Sequence, residues 1–391
     1  MMEPKIRFKG FEGEWKAPLF SEMVERISAS GQAGMLPGVE FEDIASGEGC
    51  FNKNIYQKEC HKYGKLFYEG DILFGKLRPY LKNIILADFN GVAIGDFWVL
   101  RSKGLDEKYL YTLVNSESFL KVANISSGSK MPRADWNLVS TTKFVVPSTK
   151  DEQKAIGKYF TSLDSQISAS TSRLASLKQM KAASLQAMFP QEGETVPKIR
   201  FKGFEGEWKK VSFKDFTFHA GTKNRDNLPL ESYSISNEFG FIPQNEQFEN
   251  GGTMTQADKR MYYIVSPNSF AYNPARINVG SLGYYEGKED VIVSSLYEVF
   301  KTDDTICDKF LLYWFKTDIF QKMIEQFQEG GVRLYFFYDK MCKCSLMRPP
   351  LAEQQAIASY FSSLDRQISL QSQRLEKLKQ IKSACLDKMF V

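Results

Sequence analysis

The sequence predicts an α+β protein with an internal pseudo-two-fold repeat, in which two strand-rich domains are joined by two long helices that form an antiparallel coiled coil. Two repeated blocks carry this prediction. Pro4–Lys16 returns letter for letter as Pro197–Lys209, and Glu152–Phe189 returns as Glu353–Phe390 with 22 of 38 positions identical. The chain is therefore a short block, a variable region and a helical block, followed by all three again.

The regions between the repeated blocks, residues 17–151 and 210–352, are 135 and 143 residues long and unlike each other in sequence. We expect a first domain over residues 1–150, a central spacer helix over 151–193, a second domain over 194–352 and a C-terminal spacer helix over 353–391. A repeated frame around two different contents suits the recognition of two different half-sites on one two-fold object.

The helical blocks carry apolar residues at heptad spacing, with one interruption at Ser170 in the first copy. These seam positions are Ile156, Phe160, Leu163, Ile167, Leu174 and Leu177, and in the second copy Ile357, Phe361, Leu364, Ile368, Leu375 and Leu378. A helix of this length would extend about 57 Å. Because a lone helix would leave its apolar stripe in water, we expect the two to pair antiparallel. The alternative is that each packs only on its neighbouring domain.

The variable regions resemble each other in outline. Short apolar runs between Gly, Asn and Asp turns predict strands at 65–68, 71–74, 83–87 and 97–100, and again at 261–265, 269–272, 291–293 and 296–300. A helix is predicted near 107–122 in the first region and near 307–327 in the second. Each helix is followed by a Gly-rich loop that carries basic residues, at 126–133 and 329–333.

Composition excludes several classes of protein. With 391 residues and 43% hydrophobic content, two domains can each bury a core. No apolar run approaches the roughly 20 residues of a membrane span, and the N-terminus lacks a signal-peptide core, so we expect a soluble cytoplasmic protein. Six cysteines without a CxxC pair favour reduced thiols over a metal site or disulfides. The net charge of +4 is mild, so any nucleic-acid contact must come from local patches.

Taken together, several stretches resemble the specificity subunits of type I restriction-modification systems. They are the Pro-Lys-Ile-Arg-Phe-Lys-Gly-Phe-x-Gly-x-Trp openings at 4 and 197, the stretches Gly70–Gly75 and Tyr272–Gly283, and the Glu-Gln-x-Ala-Ile starts of the helices at 152 and 353. The resemblance implies that the variable regions are target recognition domains for a bipartite double-stranded DNA site. It also implies the partners: two modification subunits that methylate adenine with S-adenosylmethionine, and restriction subunits that translocate and cleave DNA with ATP.

Three stretches imitate catalytic motifs and are incomplete. Gly70–Lys76 fits the spacing of a phosphate-binding loop, but Leu77 stands where a Ser or Thr hydroxyl should bind magnesium. Asn273-Pro274 begins a methyltransferase-like motif that Ala275 does not continue, and Glu286-Gly-Lys288 has no upstream nuclease partner. We therefore expect no catalytic residue, no cofactor and no metal site on this chain, and we interpret His61 and His219 as ordinary surface or hydrogen-bonded residues.

The candidate DNA contacts are cations interleaved with aromatic and amide side chains. Arg can donate two hydrogen bonds to guanine and Asn can pair with adenine, whereas Lys positions phosphate. The candidates in the first domain are Lys76, Arg78, Tyr80, Lys82, Lys130 and Arg133, and those in the second are Lys223, Asn224, Arg225, Tyr272, Asn273, Arg276, Asn278 and Arg333. For any single residue the competing interpretation is a solvated loop. The opening blocks, rich in Phe and Trp, are expected to pack or dock.

The sequence thus favours a non-catalytic adaptor that recognises a bipartite DNA target through two domains held by a helical spacer. A protein-interaction scaffold whose domains bind protein is the alternative, and a stand-alone nuclease is a distant third.

Overall fold

The computed structural model describes residues 4–34, 36–58, 60–125, 131–247 and 258–390, with only the backbone of Gln247. The chain forms two compact units: Met1–Leu174 with Leu370–Val391 is the first, and Ala175–Ser369 is the second. Two long helices, α5 (Lys150–Ala187) and α10 (Leu351–Met389), each contribute one part to each unit. Within the described residues, no helix is both long and apolar enough to cross a membrane.

The first unit is strand-rich. Its strands are β1 (Val24–Ile27), β2 (Ser30–Gln32), β3 (Gly38–Val39), β4 (Ile44–Ala45), β5 (Cys50–Phe51), β6 (Tyr63–Phe67), β7 (Ile72–Gly75), β8 (Ile84–Leu86), β9 (Gly91–Ala93) and β10 (Phe97–Ser102). Its short helices are α1 (Phe20–Met23), α2 (Glu107–Asn115), α3 (Glu117–Ala123) and α4 (Trp136–Thr141). The described strands form a sheet of order β1-β10-β7-β8, a second of order β2-β6-β9-β3, and the pair β4-β5.

The second unit repeats this plan. Its strands are β11 (Lys209–Ser212), β12 (Thr217–His219), β13 (Thr222–Lys223), β14 (Ser232–Ser236), β15 (Gly240–Pro243), β16 (Tyr263–Val265), β17 (Ser269–Tyr272), β18 (Leu282–Tyr285), β19 (Val291–Val293), β20 (Glu298–Thr302) and β21 (Ser345–Arg348). Its short helices are α6 (Gln244–Gln247), α7 (Asp308–Trp314), α8 (Asp318–Phe327) and α9 (Tyr338–Met341). The sheet β12-β20-β17-β18 corresponds strand for strand to β1-β10-β7-β8 of the first unit.

Both faces of the central strands are buried. In β7, Ile72 and Phe74 join the core under the helices, while Leu73 joins the core against the second sheet. In β17, Phe270 and Tyr272 face the helix-side core and Ala271 faces the other. Successive side chains of a strand point to opposite faces, so a strand that is covered on both sides has a continuous run of apolar residues in its sequence.

The two long helices pair antiparallel within each unit, as predicted. In the first unit Lys382 forms an ion pair with Asp164 at 2.6 Å. In the second unit Lys181 pairs with Asp365. The two ion pairs join equivalent positions of the repeat, 164 with 365 and 181 with 382. Residues early in one helix contact residues late in the other, which fixes the direction of the pairing.

The interruption of the heptad seam has a structural explanation. Ser170 and its repeat equivalent Gln371 are both buried, at 4% and 9% exposure, and the Gln371 side-chain amide donates to the Ser170 carbonyl at 3.2 Å. A satisfied polar pair at a seam position costs little stability and favours one register over its neighbours.

The opening blocks pack at the start of each long helix, as expected. Arg7 donates two hydrogen bonds to Glu152, at 2.7 and 2.9 Å, and Trp15 donates a third at 3.3 Å. In the second unit Arg200 makes the same two-donor contact with Glu353. Each opening block is also joined to the end of a long helix by a backbone hydrogen bond. The Ile6 amide donates to the Lys388 carbonyl, and the Ile199 amide donates to the Ala187 carbonyl. The same junction is thus made in one unit between the chain ends and in the other along a continuous chain.

The single helix predicted after the strands is wrong in both units. In the first unit Ser116 ends α2, and its hydroxyl accepts a hydrogen bond from the Phe119 amide as the N-cap of α3. In the second unit α7 ends at Trp314 and α8 begins at Asp318, with Thr317 as the N-cap residue of α8. The Ser116 side chain caps α3 and so competes with helix continuation, whereas the Thr317 hydroxyl donates to the Trp314 carbonyl at 2.7 Å and does not cap α8. The apolar periodicity on either side hides both breaks.

Candidate nucleic-acid interface

The loop that follows β7 has a defined backbone conformation. Pro79–Leu81 forms one turn of 3₁₀ helix, with Arg78 before it and Lys82 after it. Arg78 and Lys82 both adopt the left-handed region, at φ 50° and 54°. Each such residue without glycine's freedom costs roughly 1–2 kcal/mol, so the fold must hold the loop in this shape.

Backbone hydrogen bonds supply that restraint. Arg78 donates to the Pro132 carbonyl at 2.8 Å, and Ala134 donates to the Lys76 carbonyl at 2.8 Å. The loop is therefore tied to the segment that precedes α4. The side chains of Arg78, Tyr80 and Lys82 remain exposed.

Asp96 brings two of the predicted cations together. Its carboxylate contacts Lys76 at 3.2 Å and Arg133 at 3.1 Å. Burial alone would raise the pKa of the Asp96 carboxyl, but hydrogen bonds from Arg133 and Lys76 outweigh burial and lower it. One carboxylate facing two cations leaves a local surplus of positive charge, which suits a phosphate. Asp96 could not be recognised from the sequence, because no local pattern links it to Arg133, which lies 37 positions away.

The structure divides the predicted segment 76–82 between two surfaces. Lys76 and Arg133 line a cleft of about 390 Å³ that also includes Arg26 and Trp136. Tyr80 and Lys82 line a different groove, next to α3 and the end of α10. Lys130, the remaining candidate of the first unit, lies outside the described residues.

The second unit has an equivalent loop after β17. Ile277–Val279 forms a 3₁₀ turn preceded by Arg276 and followed by Gly280 at φ 90°. Phe336 donates to the Pro274 carbonyl at 3.0 Å, the counterpart of the bond from Ala134 to Lys76. Gly280 takes the place of Lys82 and adopts the left-handed region without the strain of a side chain.

The candidate DNA contacts in the loop after β17 differ in their exposure to solvent. Arg276 and Asn278 are exposed, and Asn273 is half-buried, with its side chain accepting from the Ala275 amide at 3.0 Å. Tyr272 is 0% exposed, so its assignment as a DNA-contacting side chain needs correction. It lies on the same face of β17 as Phe270, inside the core, and its buried hydroxyl has no hydrogen-bond partner among the residues that the structure describes. Burial raises the pKa of Tyr272 well above its ordinary value.

The segment 223–225 is only partly available. Asn224 is 1% exposed and is likewise corrected: its side chain bonds the backbone of Leu228, accepting at 2.9 Å and donating at 3.1 Å, and so shapes the turn. Lys223 lies 3.5 Å from the centre of the Tyr263 ring. Arg225 is exposed.

Arg333 is exposed at the tip of a short hairpin. The hairpin is closed by backbone pairing of Glu329 with Tyr335. Gly330 is required there, because at φ 136° a Cβ atom would lie 2.2 Å from the Arg333 carbonyl oxygen. By backbone position the counterpart of Arg133 is Tyr335 and not Arg333.

Among the described residues, no group of three or more His, Cys, Asp or Glu side chains is arranged to hold a metal ion. The stretch that imitates a phosphate-binding loop runs into strand β7 and does not open a helix. The exposed chemistry of the two loops is therefore that of hydrogen-bond donors and cations.

Comparisons with known proteins agree with this architecture. Residues 206–380 match the family model for the type I restriction modification DNA specificity domain. The chain is 24% identical over 120 residues to the EcoDI specificity subunit of Escherichia coli, covering 29% of this chain and 27% of that protein. It is 21% identical over 310 residues to the MjaVIII specificity subunit of Methanocaldococcus jannaschii, covering 73% of this chain and 70% of that protein.

Solved structures show the same fold. The S subunit of a type I restriction-modification system from M. genitalium superimposes with a TM-score of 0.62 at 12% identity, covering 100% of this chain and 99% of that one. A chain from a structural study of assembly and conformational transition in a type I R-M system gives 0.51 at 18% identity, covering 97% and 98%. The duplicated α+β units with paired long helices are the fold that this chain shares with the solved S subunit. Residues 206–380 carry the match to the type I restriction modification DNA specificity domain.

Proposed function

We propose that this chain is the non-catalytic, DNA-recognising subunit of a type I restriction-modification complex. One observation carries the proposal. Each unit places an exposed arginine immediately before a 3₁₀ turn at the end of the same central strand, while the residues around it differ between the units. A common scaffold with different surface chemistry is what the recognition of two unlike half-sites requires.

The proposed division of labour follows the chemistry of each side chain. Arg78 and Arg276 present guanidinium groups that match the two acceptors of guanine in the major groove, and Asn278 presents an amide suited to adenine. Lys76 and Arg133, held by Asp96, and Lys82, Lys223 and Arg225 are proposed phosphate contacts. Phosphate contacts position the protein, and base contacts specify the sequence.

The proposed partners supply the chemistry that this chain lacks. Two modification subunits would methylate adenine within the bipartite target, using S-adenosylmethionine, and restriction subunits would translocate and cleave unmodified DNA with ATP. The proposed place of action is the cytoplasm, where the genomic DNA lies. In this scheme the specificity chain determines only where the reaction happens.

The decisive experiment combines the chain with its modification subunit. Methylation of random duplexes, followed by sequencing of the modified sites, should yield one bipartite motif with an unspecified gap. The modification subunit without this chain should yield none. A complex that forms but methylates or binds every duplex alike would contradict the proposal and favour the protein-interaction scaffold.

A further inference from the structure

The equivalent sheets of the two units allow positions to be matched by strand register. In the first unit Arg26 on β1 lies opposite Leu100 on β10. In the second unit His219 on β12 lies opposite Phe300 on β20. Leu100 and Phe300 in turn face Ile72 and Phe270 of the central strands. Arg26 and His219 therefore occupy the same position of the fold, although the helical and opening repeats do not include them.

The neighbours of these two residues also match. Trp98 precedes Leu100 on β10 by two residues, and Glu298 precedes Phe300 on β20 by two residues, so Trp98 and Glu298 occupy equivalent positions. Helix α4, which precedes α5, begins with Trp136, and helix α9, which precedes α10, begins with Tyr338. Each unit thus has a triad made from an edge strand, a central strand and a short helix.

In the first unit the triad consists of an arginine over a tryptophan ring that meets a second tryptophan edge to face. The Arg26 guanidinium carbon lies 4.8 Å from the centre of the Trp136 ring, and the Trp136 and Trp98 rings are 5.3 Å apart at 78°. Trp98 is 4% exposed and forms the floor, while Arg26 is exposed. A cation–π contact of this kind does not use the hydrogen-bond donors of the guanidinium, so they remain available for a ligand.

In the second unit the three equivalent positions hold His219, Glu298 and Tyr338. The His219 Nε2 and Glu298 Oε2 atoms are 3.6 Å apart, with side-chain exposures of 44% and 20%. The His219 ring meets the Tyr338 ring edge to face at 5.8 Å. The Tyr338 hydroxyl and Thr217 share a hydrogen bond of 2.9 Å, which holds that aromatic wall in place.

The first triad lies beside the proposed DNA contacts. Arg26, Trp98 and Trp136 line the same cleft as Lys76 and Arg133. A phosphate held by the two cations would bring the neighbouring bases within reach of the Arg26 guanidinium. The aromatic wall and the apolar floor exclude water from one side of that group, which strengthens its hydrogen bonds.

We propose that these matched triads are specificity-determining sites for DNA bases, and that their different chemistry makes the two half-sites different. Arg26 offers donors only and selects acceptors such as guanine O6 and N7. Glu298 offers acceptors and selects the exocyclic amino group of cytosine or adenine, with His219 holding its carboxylate. The inference rests on the proposed function and adds base-recognising residues on strands outside the loops already described.

The test uses the assembled methyltransferase and duplexes in which each base pair of the target is replaced singly. Arg26→Lys keeps the charge but removes the planar pair of donors, and Glu298→Gln keeps the shape but replaces one acceptor with a donor. We expect each variant to lose about tenfold discrimination at one base pair, in opposite half-sites. Arg173→Lys, at an exposed arginine on α5, and Glu192→Gln, at an exposed carboxylate after α5, are the matched controls.

Several outcomes would overturn the inference. Unchanged discrimination at every base pair excludes base contact by the triads. A uniform loss of affinity for all duplexes assigns them to phosphate contact, and a loss of assembly with the modification subunit assigns them to protein docking. A wild-type complex without any defined target contradicts the proposed function itself, which separates that failure from failure of the triads.

Discussion

Arg78 and Arg276 occupy the same place in the two units, each directly before a 3₁₀ turn that follows the central strand. Their backbones differ: Arg78 is left-handed at φ 50°, whereas Arg276 lies at φ −134°. The loop after Arg276 closes on Gly280, and the loop after Arg78 closes on the strained Lys82. The same loop position is therefore built with more backbone strain in the first unit.

Arg78→Ala is expected to relax one base-pair position of one half-site and to weaken target binding by ~1–3 kcal/mol, because it removes the proposed two-donor contact with guanine. Arg276→Ala should do the same in the other half-site. Binding of the assembled methyltransferase to singly substituted duplexes measures both effects. Tyr272→Phe is the control, since its hydroxyl is buried and should leave recognition unchanged. Unchanged discrimination in both arginine variants would transfer the role to other loops, with Arg133 and Arg333 next.

Lys82→Ala should weaken binding to all duplexes alike and lower the slope of log affinity against log salt by about one, because one phosphate contact releases about one counterion. Titrations of cognate and random duplexes at several salt concentrations measure the slope. A change confined to the cognate duplex would show instead that Lys82 contacts a base.

Exchange of residues 17–150 for the same region of a related specificity subunit should change one half of the methylated motif and keep the other half and the gap. The reason is that the repeated blocks on both sides supply the packing at the start of the long helix. Methylome sequencing reads the result directly. A motif altered in both halves would contradict independent recognition by the two regions.

Arg7→Met should destabilise the first unit by about 3–5 kcal/mol, because it leaves the Glu152 carboxylate, 2% exposed, without its two-donor partner. Arg200→Met should act in the same way on Glu353, whose side chain is 0% exposed. Urea unfolding measures both losses, and Lys9→Met, at an exposed position of the same block, is the control. Losses no larger than that of the Lys9 variant would refute the role of this contact.

The first unit should also lose stability in acid through the Glu40–Asp43 cluster. Burial raises the pKa of the Asp43 carboxyl, but hydrogen bonds from Lys53, Lys58 and the Glu40 backbone outweigh burial and lower it below 3.8. Hydrogen bonds from Lys58 and Lys62 likewise lower the pKa of Glu40. A depressed carboxyl pKa stabilises the fold above the unfolded-state pKa, and the contribution is lost as pH falls through the folded-state pKa.

Asp43→Asn should therefore destabilise the protein near neutral pH and flatten the fall in stability between about pH 5 and pH 2. Thermal unfolding across that range measures the change. Glu42→Gln, whose carboxylate is 71% exposed, is the matched control and should keep the wild-type profile. An Asn variant with the wild-type acid profile would place the titrating group elsewhere.

The amino-acid sequence alone was enough to predict the duplicated plan, the two long helices, the strand-rich character of the variable regions and the resemblance to a family. These follow from repeats and from local periodicity, which a chain carries wherever it folds. Even the interruption at Ser170 was visible as a break in the seam. The exposed arginines Arg78 and Arg276 were also accessible to this reasoning, because Pro, Gly and Asn around them predict loops.

Which side chains are exposed depends on the tertiary structure. Tyr272 belongs to a residue type that often contacts DNA, yet the helix-side core packed on β17 buries it, and Asn224 turns inward to bond its own loop. Asp96 joins cations on separate segments, and Arg26 meets Trp136 from a distant edge strand. Burial and ion pairing between remote segments depend on how layers stack, and no window of neighbouring residues contains that information.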